Sequence, residues 1–546
     1  VSKLHESGDE VAFVETFFKS KGLTMASKKL FSNTTNSNSD RVAKATDTVN
    51  NSGGQAYSLS DKGALAQYAM TGCFNSTYYA SDKEQLDKII ELSKKVSTEF
   101  LAKLAVYSRQ KGLMKDMPAV LATLVAGRSS ELLTKIFPKV VDNPKMLRNF
   151  VQIMRSGVTG RKSFGTRPKK LIQAYLENLT DEQLFRANVG NDPSLQDIIK
   201  LVHPRPANKS RNAMYAYLLG KDYDKEDLCE LVRQFESFKN DMNGEIPDVP
   251  FQMLTALPLT KDHWRSIAYN ATWNQIRMNL NTFARHGVLE DINLVNYLAD
   301  KLIDSEQIHR SKVFPYQLFT AFKNIDDNVP MKLNMALQKA AEISCDNIPE
   351  INGKVYVMVD VSGSMSYPIT GYRLGGVSSK MLCVDVAALF AAAILRKNPE
   401  ARVIPFDVVV HNAKMNPMDS IMTNAKYLSK FGGGGTNCSL PLKNLNLNGA
   451  NGDLIIYISD NESNMDSEKY ASTATMYEWN IFKKRNPSAK LVNIDIQPYS
   501  TIQTYSRKDI LNIGGFNDSV FEVIDKFVQF GNDQELWVSN IESVSL

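Results

Sequence analysis

Cysteine and histidine are scarce in this chain, and neither is grouped. The five cysteines (Cys73, Cys229, Cys345, Cys383, Cys438) form no C-x-x-C pair. That argues against a disulfide framework or a thiolate zinc site and suits a reducing compartment, the cytoplasm. The six histidines (His5, His203, His263, His286, His309, His411) stand apart from one another. No G-x-S-x-G, H-E-x-x-H or paired Cys/His arrangement occurs, so the chain offers no recognisable catalytic constellation. Long apolar runs are missing too. Val386-Ala-Ala-Leu-Phe-Ala-Ala-Ala-Ile-Leu395 is the longest candidate, well short of the roughly 18–20 residues that span a bilayer, and it reads as a buried helix. No secretory signal pattern opens the sequence. It begins at Val1 rather than Met, so its start is expected to be processed or incomplete, with Met25 as an alternative initiator.

Excess charge is also small overall, at +5, but it is unevenly placed. Between Lys145 and Arg211 there are 13 Lys or Arg against five Asp or Glu, which leaves that stretch at +8 and the remainder of the chain at −3. A basic segment on a neutral-to-acidic protein points to a polyanionic partner.

The 546 residues suffice for two to four domains. Residues 1–60 read as an N-terminal extension: a helix over 8–22, then a polar, turn-rich arm through Phe31–Asp40 and Asn50–Gly54 with little to bury. From 61 to 347 the pattern is helical. Ser81-Asp-Lys-Glu84 is a capping-box signature opening an apolar-periodic run. Short helices follow near 98–111, 117–126, 130–141, 144–156, 167–178, 194–202, 208–219, 224–238, 261–286, 289–304 and 330–344, punctuated by Pro and Gly. Their spacing fits a degenerate HEAT-like repeat array, and it fits a plain all-helical domain as well. Residues 348–546 change character. Apolar strands at 354–359, 402–406, 453–458 and 490–495 alternate with helices near 378–397, 419–430, 467–485 and 518–530. Strands buried on both faces and separated by helices predict a doubly wound parallel α/β sheet. Ligands of such sheets bind at the carboxyl ends of the strands.

Those ends carry a specific set of oxygens. Strand 354–359 runs into Asp360-Val-Ser-Gly-Ser364. A second loop, Gly432–Gly435, delivers Thr436, and a third, after strand 453–458, delivers Asp460. Asp360, Ser362, Ser364, Thr436 and Asp460 offer hard oxygen and no nitrogen or sulfur, which suits Mg²⁺, Mn²⁺ or Ca²⁺. Ser362, Ser364 and Thr436 are expected to bind directly, the two aspartates directly or through water. The glycine run lacks the Gly-Lys-Ser/Thr of a phosphate loop and is expected to let the backbone approach the ion. Asp360 has no second Asp two residues on, which separates it from phosphotransferases of the haloacid dehalogenase type. The whole constellation resembles the metal-ion-dependent adhesion site of von Willebrand factor A domains. In that family the ion's last position takes a partner's carboxylate; the other reading is a degenerate A domain that keeps the loops and binds no metal.

Cations cluster at two helix starts. Arg161, Lys162, Arg167, Lys169 and Lys170 surround Pro168, which fits a first helical turn. His203, Arg205, Lys209 and Arg211 precede or open the helix near 208. Equivalent loops of a repeat array lie along one rim, so both groups are candidates to line one phosphate-binding face, with His203 placed to stack on a base. Solvated helix ends would show the same composition.

Several stretches occur in the order found in the Ro autoantigen family, the TROVE-module RNA-binding proteins, which the chain resembles across about residues 60–530. They are Gly72-Cys-Phe-Asn-Ser-Thr-Tyr-Tyr79, Gly165-Thr-Arg-Pro-Lys-Lys-Leu-Ile172, Leu201-Val-His-Pro204, Met253-Leu-Thr-Ala-Leu-Pro-Leu-Thr260, Val313-Phe-Pro-Tyr316, Asp360-Val-Ser-Gly-Ser-Met365 and Gly434-Gly-Thr-Asn-Cys-Ser-Leu-Pro441. The resemblance implies a closed ring of HEAT-type helices whose ends are joined by the A domain. It implies small structured Y-like RNA on an outer basic surface, single-stranded 3′ ends of misfolded RNA in the central hole, and, as in bacterial relatives, a 3′ exonuclease recruited by a tethered RNA. Carried over, Arg167, Lys169, Lys170 and His203 fall where the family contacts RNA. Departures are the first 60 residues, the less glycine-rich stretch before Tyr78 and Tyr79, and the proline within Arg167–Lys170. The expectation is a non-enzymatic ribonucleoprotein scaffold or RNA quality-control factor; the alternative is an assembly component that docks a protein through the A-domain ion.

Overall fold

The computed structural model describes residues 44–546 apart from 161–162, 312, 314, 347, 349, 373–379, 466–470, 518 and 532. The helix expected over 8–22, and Arg161 and Lys162, lie outside the described residues. Helices run from Asp61–Thr71 to Met331–Ser344 before the parallel sheet begins. Local sequence explains most of their starts. Ser81 and Glu84 form the expected capping box of helix Asp82–Lys95, and Thr180, Ser194, Thr260 and Thr272 open four more in the same way. The last of these divides what reads as one helix over 261–286 into Lys261–Asn270 and Trp273–Arg285.

The C-terminal sheet contains β3 (Val355–Asp360), β4 (Arg402–Phe406), β5 (Leu454–Ser459), β6 (Lys490–Asp495) and β8 (Ile510–Gly514), in the order β4-β3-β5-β6-β8 and parallel throughout. Alternate residues feed different layers. Val355, Val357 and Val359 pack into the core that contains helix Cys383–Lys397, while Tyr356 and Met358 face Leu442, Trp479 and Phe482. The sheet is therefore covered by helices on both sides, as expected for a doubly wound fold. Among the described residues, no helix is long and apolar enough to cross a membrane.

Both ends of the helical array rest on this domain. Helix Asp61–Thr71 packs on β8 and on helix Leu536–Glu542, and helices Pro315–Lys323 and Met331–Ser344 pack on Cys383–Lys397 and Ile421–Leu428. Ion pairs mark both seams: Lys62–Glu542 at 2.6 Å and Lys111–Glu522 at 2.8 Å at one, Lys323–Asp385 at 2.7 Å and Arg396–Glu342 at 3.0 Å at the other. The array thus closes into a ring through the α/β domain.

Part of the polar arm is ordered. β1 (Thr48–Val49) and β2 (Gln55–Ser58) pair antiparallel, and β2 pairs with β7 (Thr501–Ile502) of the C-terminal domain. Ala56 and Tyr57 are fully buried, so this short hairpin has an apolar anchor that its Asn/Ser/Gly-rich turn conceals.

Candidate metal centre and nucleic-acid interface

The parallel register brings the carboxyl ends of β3, β5 and β6 to one edge, and with them Asp360, Asp460 and Asp495. The three expected oxygen-bearing loops meet there. Gly433 N–H donates to the Val361 carbonyl and Gly363 N–H to the Gly434 carbonyl, both at 2.8 Å. Thr436 accepts at its carbonyl from Asn464 N–H (2.9 Å) and Met465 N–H (3.0 Å). Gly432 has φ +84°, and a Cβ there would sit 1.9 Å from the Val361 carbonyl oxygen. Gly432 therefore serves close contact between the first two loops.

Asp360, Ser362, Ser364, Thr436 and Asp460 are each at most 4 % exposed. Asp360 is held at both oxygens: Oδ1 accepts from Ser362 N–H at 2.9 Å and Oδ2 from the Ser459 hydroxyl at 2.6 Å. The Ser362 and Ser364 hydroxyls are 3.3 Å apart. Asp460 Oδ1 accepts from Glu462 N–H at 3.3 Å, and its buried Oδ2 has no hydrogen-bond partner. Burial, and then the charge of Asp460, push Asp360 up to about 7. Burial pushes Asp460 up to about 6, with Glu462 adding to the rise and the Ser364 hydroxyl opposing it. An orphaned carboxylate oxygen beside two hydroxyls is what a hard divalent cation would complete. The donor set fits such an ion, with Asp360 already committed to hydrogen bonds that orient it. Among the described residues no three His, Cys, Asp or Glu side chains form a metal-holding group, and three of the five candidate ligands, Ser362, Ser364 and Thr436, are hydroxyls.

Two further carboxylates border the site and escaped the sequence reading. Glu462 is fully buried and accepts from Ser52 N–H at 3.2 Å and from the Thr501 hydroxyl at 3.1 Å; burial pushes it up to about 7. Asp495 accepts from the Gln67 and Asn461 side-chain amides and from Gln497 N–H, and burial raises it well above the usual carboxylate range. Each binds residues from the first 70 positions, so only the docking of the array reveals them.

The basic positions divide into three sets. Arg167 and Lys170 are exposed and Lys169 is half-buried on the first turns of helix Thr166–Asn178, with Pro168 buried beneath them. One turn on, Gln173 Nε2 donates to the Val202 carbonyl at 2.6 Å. That contact sets the loop bearing His203 and Arg205, both exposed, beside the same helix. His203 takes φ +51° and caps helix Leu195–Val202, so its backbone is structural while its ring faces solvent. Lys209 is exposed at the next helix start. Arg211 departs from expectation. Its guanidinium pairs with Asp181 at 2.5 Å and donates to the Leu176 and Leu179 carbonyls. Three of its five N–H donors brace the helix end, which sets it apart from the exposed cations around it.

A third set was not anticipated. Lys115 is exposed, yet burial and the charges of Lys145, Arg109 and Arg277 all depress its ammonium. Arg277 is itself depressed by burial; its Nη1 donates to the Gln317 carbonyl at 3.1 Å and its buried Nε has no partner. Arg109, Lys115 and Lys145 belong to neighbouring packed helices, whereas Arg277 comes from a distant part of the array.

Comparison with known proteins agrees with this architecture. Residues 354–528 match the family described as the Ro60 vWA domain. The RNA-binding protein RO60 of Deinococcus radiodurans is 22% identical over 525 residues, covering 88% of this chain and 95% of that one. The C-terminal part of the chain thus matches the Ro60 A-domain family, and most of the chain is distantly similar to Ro60 proteins. The RNA-binding protein RO60 of Caenorhabditis elegans is 22% identical over 332 residues, 56% of this chain and 49% of the relative. The crystal structure of the Deinococcus radiodurans RO (RSR) protein superposes with a TM-score of 0.60 at 18% identity, covering 86% of this chain and 99% of that one. A helical repeat region followed by a five-stranded parallel A domain is thus the fold shared by that solved protein and this chain.

Proposed function

We propose that this protein binds RNA without chemistry, as a ribonucleoprotein scaffold or quality-control factor. Residues 61–347 form the RNA-binding array, and residues 348–546 form the A domain that closes it and holds Mg²⁺ or a related divalent ion. The carrying observation is the double placement of cations. Arg167, Lys169, Lys170, His203, Arg205 and Lys209 gather around one helix and its neighbouring loop. Lys115, Lys145 and Arg277 converge elsewhere on the array. The first group suits the phosphates of a structured, Y-like RNA. The second, cations from separate helices within electrostatic reach of one another, suits a single-stranded 3′ end. The name borne by both curated relatives, RNA-binding protein, supports the reading.

Filter binding over a salt series tests it. Lys169→Glu with Lys170→Glu should weaken a structured small RNA at least tenfold and lower the log–log salt slope by about two, one unit for each lost phosphate contact. Lys115→Glu should weaken a single-stranded 3′ extension and spare the structured RNA. Unchanged affinity in both variants would remove these surfaces as RNA sites.

A further inference from the structure

The oxygen site is roofed by residues that do not belong to the A domain. The loop that follows helix Asp61–Thr71 leaves the array and lies along the A domain. Ser76 and Tyr372 exchange backbone hydrogen bonds at 3.1 and 2.7 Å, and Asn75 Nδ2 donates to the Thr370 carbonyl at 2.7 Å. This docking seats Tyr78 against Tyr367 and Tyr79 against Tyr499, edge to face, at 5.4 and 5.3 Å between ring centres. Tyr367 follows directly on the turn Gly363–Ser366 that carries Ser364. The arm arrives from another direction. Asn50 Nδ2 donates to the Ser463 carbonyl at 2.7 Å, Ser52 N–H donates to Glu462, and the Ser52 hydroxyl donates to Tyr79 Oη at 2.7 Å. Two glycines show how close the approach is. A Cβ on Gly54 would lie 2.0 Å from the Ser463 carbonyl oxygen, and one on Gly371 2.8 Å from that of Ser76.

Tyr79 is the point where roof and site meet. Ser364 and Asp460 both act on its phenol, which accepts from the Ser52 hydroxyl and, as an ordinary phenol, is neutral near pH 7. A neutral phenol can hydrogen-bond to ion ligands and adds no charge of its own. Asp460 Oδ2 is itself buried without a hydrogen-bond partner.

We propose that Tyr79 closes the outward side of the oxygen site, so that a divalent ion bound there clasps the first loop of the helical array to the A domain. The inference rests on the metal reading above and goes beyond it: the ion's role becomes ring closure, and Tyr79 is the positioning residue that couples the two. The roof stands where a partner's carboxylate would enter.

The test uses the full chain stripped of metal, with MgCl₂ as the probe. Calorimetry measures ion binding, and hydrogen exchange follows residues 44–80. Expected are Mg²⁺ binding and a slowing of exchange at Thr48–Ala80 by tenfold or more. Tyr79→Phe keeps the ring packing and loses the hydroxyl; it should cut that protection at least threefold. Tyr372→Phe, which removes a hydroxyl elsewhere in the same tyrosine cluster, should behave as wild type. If the wild type binds Mg²⁺ with no change at Thr48–Ala80, or if Tyr79→Phe keeps full protection, the clasp is wrong and the ion site stands. If the wild type binds no Mg²⁺, the clasp and the metal reading fail together.

Discussion

Magnesium binding should displace protons below about pH 7, and the structure dictates both the sign and the size. With no ion present, burial and then Asp460 hold Asp360 at about 7, and burial holds Asp460 at about 6. A divalent cation favours the carboxylate forms and so must expel whatever protons these groups carry. At pH 6 Asp360 is largely protonated and Asp460 partly so; at pH 8 both are ionised. Each displaced proton makes the apparent affinity climb about tenfold per pH unit. Mg²⁺ affinity should therefore rise at least tenfold from pH 6 to 7 and flatten above about pH 7.5. The same shifts act on stability. Both folded-state values lie above the unfolded carboxylate value of roughly 4, so the folded chain binds more protons between about pH 4 and 7. Their contribution favours the folded state at low pH and is lost as pH rises through that window, by up to about 1.4 kcal/mol per unit for each group. Saturating Mg²⁺ should erase that slope. Titration calorimetry in buffers of different ionisation enthalpy counts the protons: about one or more released per ion at pH 6, almost none at pH 8. A pH-independent affinity with no proton release at pH 6 would mean that Asp360 and Asp460 are already ionised, and the electrostatic account of the site would be refuted.

Two substitutions probe neighbouring parts of the argument. Arg211→Ala strips a mostly buried partner from Asp181 and from two carbonyls; it should cost about 3 kcal/mol, visible as a lower denaturant midpoint, with RNA affinity retained while the chain is folded. A large loss of RNA affinity in folded Arg211→Ala would return that residue to the interface. Gly432→Ala places a Cβ 1.9 Å from the Val361 carbonyl oxygen at a left-handed backbone position. It should separate the first two loops and abolish Mg²⁺ binding by calorimetry, and unaltered binding would show that the loop contact is dispensable.

What the sequence made legible follows from where each signal resides. The Asp360–Ser364 loop and Asp460 are each set by the end of a uniformly buried strand, which is easy to read, and Thr436 is marked by the glycine run before it, between helices Ile421–Leu428 and Leu440–Leu447, so the candidate set could be named before its geometry was known. Helix Asp61–Thr71 had no such mark: residues Gly63–Thr71 are buried on every side, which leaves no apolar stripe to show a period of 3.6. β8 escaped because Asn512 interrupts its apolar run, and only in the sheet does that side chain find Asn493 and the Thr504 carbonyl. Arg211 looked like its exposed neighbours until Asp181 and two helix-end carbonyls proved to surround it. Lys115 and Arg277 are over 150 positions apart, and only the folded array brings them within electrostatic reach.

The burial of the oxygen site supports the clasp over partner docking, the other role that its chemistry allowed. A docking ion must present an open coordination position to a partner. Here Tyr79, Ser52 and Asn50 stand over the loops that carry the donors, anchored by hydrogen bonds to Ser463 and Glu462 and by a backbone pair at Tyr372. Exposing the ion to an outside carboxylate would break those bonds and strip the tyrosines of their ring contacts. It would also loosen the start of the array, because Gln67 of helix Asp61–Thr71 bonds to Asp495 and accepts from Ser500 N–H on the same side. Partner docking and ring integrity would then oppose each other. An ion that tightens the seam instead works with the RNA reading, because it holds the array that brings Lys115 within electrostatic reach of Arg277.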